Sequence, residues 1–398
     1  MNAGRKAMAA AFALVTCGGF AAGAQTGPKD EIRIGQTLPY SGPASGFSAL
    51  GRAAEAYFAK INAEGGINGR KIRLISLDDA SSPPKTVEQT RKLVEQDDVL
   101  LMFGSLGTAT NGAVHRYLNG KKVPQLFILS GATKWADPKH FPWTMPGIVA
   151  YDTEGAAYAR HILQTKPDGR IAILAQNDDF GRDYVAGFKR TLGSKAAAMI
   201  VAETTYENTA PTINSQLAAL KASGANILFS VTVGKFTSQV IRGIADIGWK
   251  PELTYVPTSS SSLAFLEPAG LDNATGLYTS AYQKDVNDEQ WSDDEDTRQY
   301  FAFMKQFMPN SDPHNVTYSF GYLNGHLLVQ ILRACGDDLS RENVLLQATS
   351  LHKLRLPLLL PGVTLSTGPA DYLPIKQLQL RRFNGKSWVG IGEMIEEQ

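Results

Sequence analysis

The chain has few cysteines and no surplus of charge. Of its 398 residues only Cys17 and Cys335 are cysteine. That excludes a disulfide framework, and it excludes a zinc site built on several cysteines. Lys and Arg number 39 against 38 Asp and Glu, a net charge of +1, with no Lys/Arg-rich run. A nucleic-acid binder needs a clustered basic face, so that class is excluded. Catalytic motifs are missing as well. The Gly-rich stretches match neither G-x-G-x-x-G followed by a spaced acid nor G-x-x-x-x-G-K-[ST]. There is no G-x-S-x-G elbow and no H-E-x-x-H. The 6 histidines are scattered. His115 and His161 fall on predicted helices, where a surface or a satisfied core position accounts for each. No enzyme activity, metal or cofactor is expected.

What is present begins with the N-terminus. Arg5 and Lys6 precede an apolar run from Ala7 to Phe20, and Ala22-Gly23-Ala24 supplies the small residues that a signal peptidase reads. The run is too short to span a bilayer. Residues 1–24 are therefore expected to be a cleaved signal peptide that directs export. Lipidation at Cys17 is the alternative, but Thr16 is a poor residue before such a Cys. Removal of residues 1–24 takes away Arg5 and Lys6 and no acid, leaving 374 residues with a net charge of −1. No later stretch is apolar enough to cross a membrane.

Short aliphatic runs then alternate with amphipathic ones. Strand candidates start near 32, 71, 99 and 125. After a stretch containing Pro142 and Gly147, they restart at 170, 198, 227 and 253. A spacing of roughly 25 to 30 residues is that of successive βαβ units. The fold class expected is α/β, with two doubly wound parallel sheets. Helices are expected over 296–308 and 318–334. Strands are expected over 358–360, 377–383 and 388–391, too few for a third domain, so the chain must pass between lobes more than once.

In open parallel sheets, ligands bind beyond the carboxyl ends of the strands. Those ends carry the segment 39–47, then Gly104-Ser105-Leu106-Gly107-Thr108 and Ser130-Gly131-Ala132-Thr133. The second half offers segments 177–181, 232–234 and 257–260. Gly, Ser and Thr before a helix leave free N–H groups at its positive end, which suits a carboxylate or phosphate. An ordinary helix cap has the same composition. The paired acids Asp78-Asp79 and Asp178-Asp179, and the run Asp293–Asp296, read as caps and solvated helix starts.

These segments together resemble the Leu/Ile/Val-type periplasmic substrate-binding proteins of ABC transporters. The resemblance rests on "IRIGQTLPYSGPAS", "FAKINAEGGINGRKIRLISLDD", "FGSLGT", "LSGAT" and "AQNDDFGRD", in order and over essentially the whole mature chain. It implies a type I periplasmic binding protein. Two lobes would be joined by a three-strand hinge, and one ligand would lie in the cleft. Lobe 1 would take residues 29–147 plus 282–360 and lobe 2 residues 148–281 plus 361–398. The function implied is an ABC transporter receptor that delivers its ligand to a permease in the inner membrane. The expected binder is a monomer with no cofactor and no nucleic-acid partner. By the same resemblance, the loop at Gly107 and Thr108 and the loop at Gly131, Ala132 and Thr133 would anchor a carboxylate, with Ser105 and Leu106 as further ligand-binding candidates. Phe47, Phe180, Val233 and Thr258 would complete the cleft.

One departure bears on the ligand. The family's acid for a ligand ammonium follows a Pro at a second-lobe strand end, and here Thr258 follows Pro257. An ammonium buried without a carboxylate carries a penalty of several kcal/mol. The expectation is therefore a small apolar or aromatic acid, with branched-chain amino acids as the alternative. A ligand-sensing regulatory module is the reading from another class, since this fold serves both roles.

Overall fold

The computed structural model describes Met1, residues 31–42 and residues 44–396. The expected signal peptide lies outside the described residues except for Met1, and so does Cys17. Cys335 is a buried free thiol.

Two sheets form. The first holds β1 (Glu31–Leu38), β2 (Lys71–Asp78), β3 (Leu101–Phe103), β4 (Gln125–Ile128) and β5 (Thr144–Pro146). Its strands are all parallel, in the order β2-β1-β3-β4-β5. Every residue of β3 and β4 is buried. That is the mark of parallel strands covered on both faces. The second sheet holds β6 (Ile171–Gln176), β7 (Ile200–Tyr206), β8 (Ile227–Val231), β9 (Leu253–Tyr255), β10 (Tyr278–Ala281), β11 (Gln377–Phe383) and β12 (Trp388–Glu396). Its order is β12-β11-β10-β9-β8-β6-β7. β6 to β10 run parallel, whereas β11 pairs antiparallel with both neighbours.

Between β10 and β11 the chain returns to the first sheet. There the helix Val316–Ala334 lies against the helix Ser48–Ala63. A Cβ on Gly321 would sit 2.3 Å from the Leu50 carbonyl oxygen, so the two backbones touch. The chain thus passes between the sheets three times, at residues 147–150, after Ala281 and before Gln377. Residues 358–360, expected as a strand, make only one isolated bridge, Gln283 to Leu359. β5 was hidden because Pro146 lies within it, and Pro is unusual in a strand.

His326, on the helix Val316–Ala334, stacks on Tyr57 at 4.1 Å between ring centres, with Nδ1 3.0 Å from the Tyr57 hydroxyl. Burial pushes its pKa down to about 3, helped by Lys60 and Arg333. The unfolded chain takes up this proton near pH 6.5. Stability from the neutral ring is thus complete above that pH and is lost progressively as pH falls towards 3. Between pH 7.5 and 5 this group alone removes about 2 kcal/mol. Urea denaturation of wild type and His326→Leu at both pH values should show that extra loss in wild type only. Equal losses would contradict it.

Candidate functional site

The carboxyl ends of the parallel strands from both sheets face each other across a cavity of about 490 Å³. On the first side, β3 ends at Phe103 and the chain turns through Gly104 to Gly107. Gly107 has φ +100°, and a Cβ there would lie 2.6 Å from the Thr110 hydroxyl. Only glycine fits both constraints. The helix Thr108–Gly120 then starts with no side-chain cap. Its first turn, Thr108 to Thr110, lines the cavity and presents N–H groups at the positive helix end.

The Thr108 hydroxyl is backed by a chain of donors. Ser130 Oγ accepts from the Trp135 indole N–H at 2.9 Å and from the Ala132 N–H at 3.4 Å. It lies 2.7 Å from Thr108 Oγ1. The Tyr151 hydroxyl lies in hydrogen-bond contact with both Ser130 and Thr108. Thr108 thus sits at the end of a hydroxyl chain that faces the cavity, and each bond in such a chain polarises the next.

Aromatic rings make much of the remaining wall. Tyr151 stacks on Tyr184 at 4.7 Å and meets Phe180 edge-on at 5.1 Å. Tyr282 and Phe320 meet edge-on at 5.9 Å. Phe47 from the first lobe meets Phe265 from the second at 5.1 Å, which ties the two sides at the rim. All but Phe265 line the cavity.

Glu154 lines the cavity although it is only 1% exposed. It accepts from the Thr258 N–H at 2.7 Å and from the Tyr184 hydroxyl at 2.9 Å, and it is in close contact with the Tyr158 hydroxyl. Burial raises its pKa, while these three bonds lower it. A carboxyl group from another helix thus lies directly behind Thr258. Its partners are neutral donors, and among the described residues no cation pairs with it; burial outweighs the three bonds and leaves its pKa raised.

Six of the residues singled out from the sequence line the cavity: Phe47, Leu106, Thr108, Phe180, Val233 and Thr258. Thr258 does so with its hydroxyl already engaged, donating to the Ser280 carbonyl at 2.8 Å. Its neighbour Ser259 also lines the cavity and has a buried hydroxyl with no partner among the described residues. Ser105, Gly131, Ala132 and Thr133 do not line it. Ser105 Oγ accepts the Thr37 N–H at 3.1 Å and so continues the β1–β3 ladder. Gly131 is covered by the Tyr151 ring, which a Cβ would meet at 2.8 Å. Ala132 is core. Thr133 turns to the other lobe, its N–H 2.8 Å and its hydroxyl 3.3 Å from Asp183.

The sequence reading missed Tyr151, Glu154, Tyr184, Ser259, Tyr282 and Phe320. One signal was available. Tyr151, Glu154 and Tyr158 recur at i, i+3 and i+7 on the buried face of the helix Tyr151–Thr165. A Glu there stands among tyrosines where an apolar residue is the norm.

The paired acids act as caps and bridges. Asp178 caps the helix Asp179–Leu192 through the Gly181 N–H at 3.3 Å, and it also faces the cavity. Asp179 pairs with Lys134 across the cleft at 2.7 Å, which holds its carboxyl below the usual range. Asp183, bound to Thr133, is a second bridge between the lobes. Such bonds exist only with the lobes together, so they favour the closed form. Replacing Asp183 by Ala should weaken ligand binding about fivefold, the share of ~1 kcal/mol for one hydrogen bond. Calorimetry checks it, and unchanged affinity would mean that the bridge also persists when the cleft opens.

Among the described residues no group of His, Cys, Asp and Glu could hold a metal ion. No described helix is long and apolar enough to cross a membrane.

Comparison with known proteins agrees with this geometry. The model of a family described as "Periplasmic binding protein" matches residues 31–385. A Leu/Ile/Val-binding protein homolog 2 from Brucella abortus is 26% identical over 227 residues, 56% of this chain. The match spans 59% of that relative's length. Among solved structures, a branched chain amino acid ABC transporter from Thermus thermophilus with bound valine superposes with a TM-score of 0.82 at 15% identity. It covers 92% of this chain and 97% of its own. A solute binding protein of an ABC transporter from R. palustris, in complex with 4-hydroxybenzoate, gives 0.78 at 17% identity, covering 93% and 98%. These likenesses show the fold.

Proposed function

We propose, for a chain that belongs to the periplasmic binding protein family, that it is the exported receptor of an ABC importer. It captures a small carboxylate with an apolar or aromatic body and hands it to a permease in the inner membrane. We take residues 29–147 plus 282–360 as one lobe and residues 148–281 plus 361–398 as the other, working as a monomer.

The observation that carries this reading is the Thr108 hydroxyl, backed by Ser130 and Trp135 at an uncapped helix start that opens into an aromatic cavity. Donors converge there, at a helix start whose N–H groups no side chain caps. Thr108 holds the acid from one lobe and the free hydroxyl of Ser259 reaches it from the other. Contacts to both lobes are what lets a ligand favour closure. That proteins of the same fold hold valine and 4-hydroxybenzoate supports a small carboxylate ligand.

A thermal-shift panel of benzoate-like acids and branched-chain amino acids tests the reading. An acid at about 100 Kd should add about 2.7 kcal/mol of stability. If leucine, isoleucine and valine raise the melting temperature and the acids do not, the ligand preference fails.

Glu154 favours a second reading, an α-amino acid whose ammonium meets the carboxylate oxygen that now accepts only the Tyr184 hydroxyl. Glu154→Gln separates the two. It should cost an acid ligand no more than the ~1 kcal/mol of one hydrogen bond. An amino acid would lose a buried ion pair, about 3–5 kcal/mol. A loss of that larger size in calorimetry would transfer the assignment to amino acids.

A further inference from the structure

The cavity is longer than a single-ring acid requires. Residues beyond β3, β1 and β2 all line it: Thr108 beyond β3, Phe47 beyond β1, Ser81 and Ser82 beyond β2. These strands are neighbours in the order β2-β1-β3. Strands lie about 4.8 Å apart, so the cavity extends roughly 10 Å across the sheet, from the Thr108 end to the edge strand. The second lobe repeats the layout. Val233 follows β8, Phe180 follows β6 and Asn208 follows β7, in the order β8-β6-β7. Both lobes therefore carry the cavity across two strand spacings to their edge strands. The volume agrees. A dry cavity of about 150 Å³ accepts benzene, and this one measures about 490 Å³.

The lining changes along this length. Thr108 and the bare helix start lie between the apolar residues Leu129, Ile148 and Val149 on the β4–β5 side and the rings of Phe47 and Phe180 on the way to β2. At the outer end are Ser81 and Ser82 with Asn208, which is exposed. The outer wall is also fixed in place. Ala80 and Ser81 have φ of 50° and 57°, a conformation non-glycine residues keep only when held. Asp78 and Asp79 hold them, accepting the Ala80 N–H at 3.0 Å and the Ser81 N–H at 2.9 Å. The Asp78-Asp79 pair, which reads in the sequence as a cap, thus shapes one rim of the cleft.

We infer that the cleft takes an elongated acid, with its carboxylate at Thr108, an apolar body about 10 Å long, and a far end that meets hydroxyl and amide side chains. This rests on the carboxylate reading above.

The test is calorimetry of the purified protein with the ω-phenylalkanoate series from benzoate to 5-phenylpentanoate. Affinity should rise about fourfold for each added methylene. In Asn208→Trp, which narrows the outer end, that slope should flatten. A series that binds but peaks at benzoate overturns the elongated ligand and leaves the carboxylate reading intact. A wild-type slope retained in Asn208→Trp overturns the assigned direction. If no acid of the series binds, both readings fall.

Discussion

Replacing Thr108 by Val weakens binding of the acid by about 1.5–3 kcal/mol, roughly tenfold to a hundredfold in calorimetry. Val keeps the shape of the side chain and removes only the hydroxyl. The loss is that of a hydrogen bond to a charged group, in a site where no side chain caps the helix start to take its place. Ser130→Ala should give a smaller loss of the same sign, because it removes the hydroxyl that holds the Thr108 side chain in place. Thr258→Val should change affinity little, since the Thr258 hydroxyl is already bound to Ser280. Unchanged affinity in Thr108→Val would take Thr108 out of the site.

Replacing Gly187 by Ala lowers stability by about 3 kcal/mol, at the upper end of what overpacking costs. The helices Tyr151–Thr165 and Asp179–Leu192 cross at paired glycines. A Cβ on Gly187 would lie 2.1 Å from the Asp152 carbonyl oxygen, and one on Gly155 would lie 2.3 Å from that of Tyr184. Backbone cannot yield as a flexible side chain can, so the helices must move apart. That movement also draws Tyr184 away from Glu154 and Tyr151, and ligand affinity should fall with stability. Urea denaturation measures the first effect and calorimetry the second. A stability loss below about 0.5 kcal/mol, the range of a neutral surface change, would mean that the helices do not pack this closely.

Much of the fold can be read from residue order, because a parallel strand buried on both faces writes a continuous aliphatic run. Ile227–Val231 is the clearest case, legible to the residue. Tyr278–Ala281 was not legible, since four residues with Thr and Ser in the middle carry no such run. Site residues divide in the same way. Phe47, Leu106, Thr108, Phe180, Val233 and Thr258 stand at strand ends, whose order along the chain fixes their place in the cleft. Tyr151, Glu154, Tyr184 and Phe320 lie within helices, so their facing the cavity depends on how those helices cross. Ser105 and Thr133 show the converse. Both have the right chemistry at the right loops, yet backbone and interlobe hydrogen bonds already engage their polar groups.

The central claim is that the closed cleft holds a carboxylate at Thr108. Mass spectrometry, in both ion modes, of small molecules released on gently unfolding the purified protein tests it most directly. The expected result is one organic acid, stoichiometric with the wild-type protein and depleted from Thr108→Val prepared in parallel. Recovery of a neutral or cationic solute in its place, retained equally by Thr108→Val, would contradict the claim.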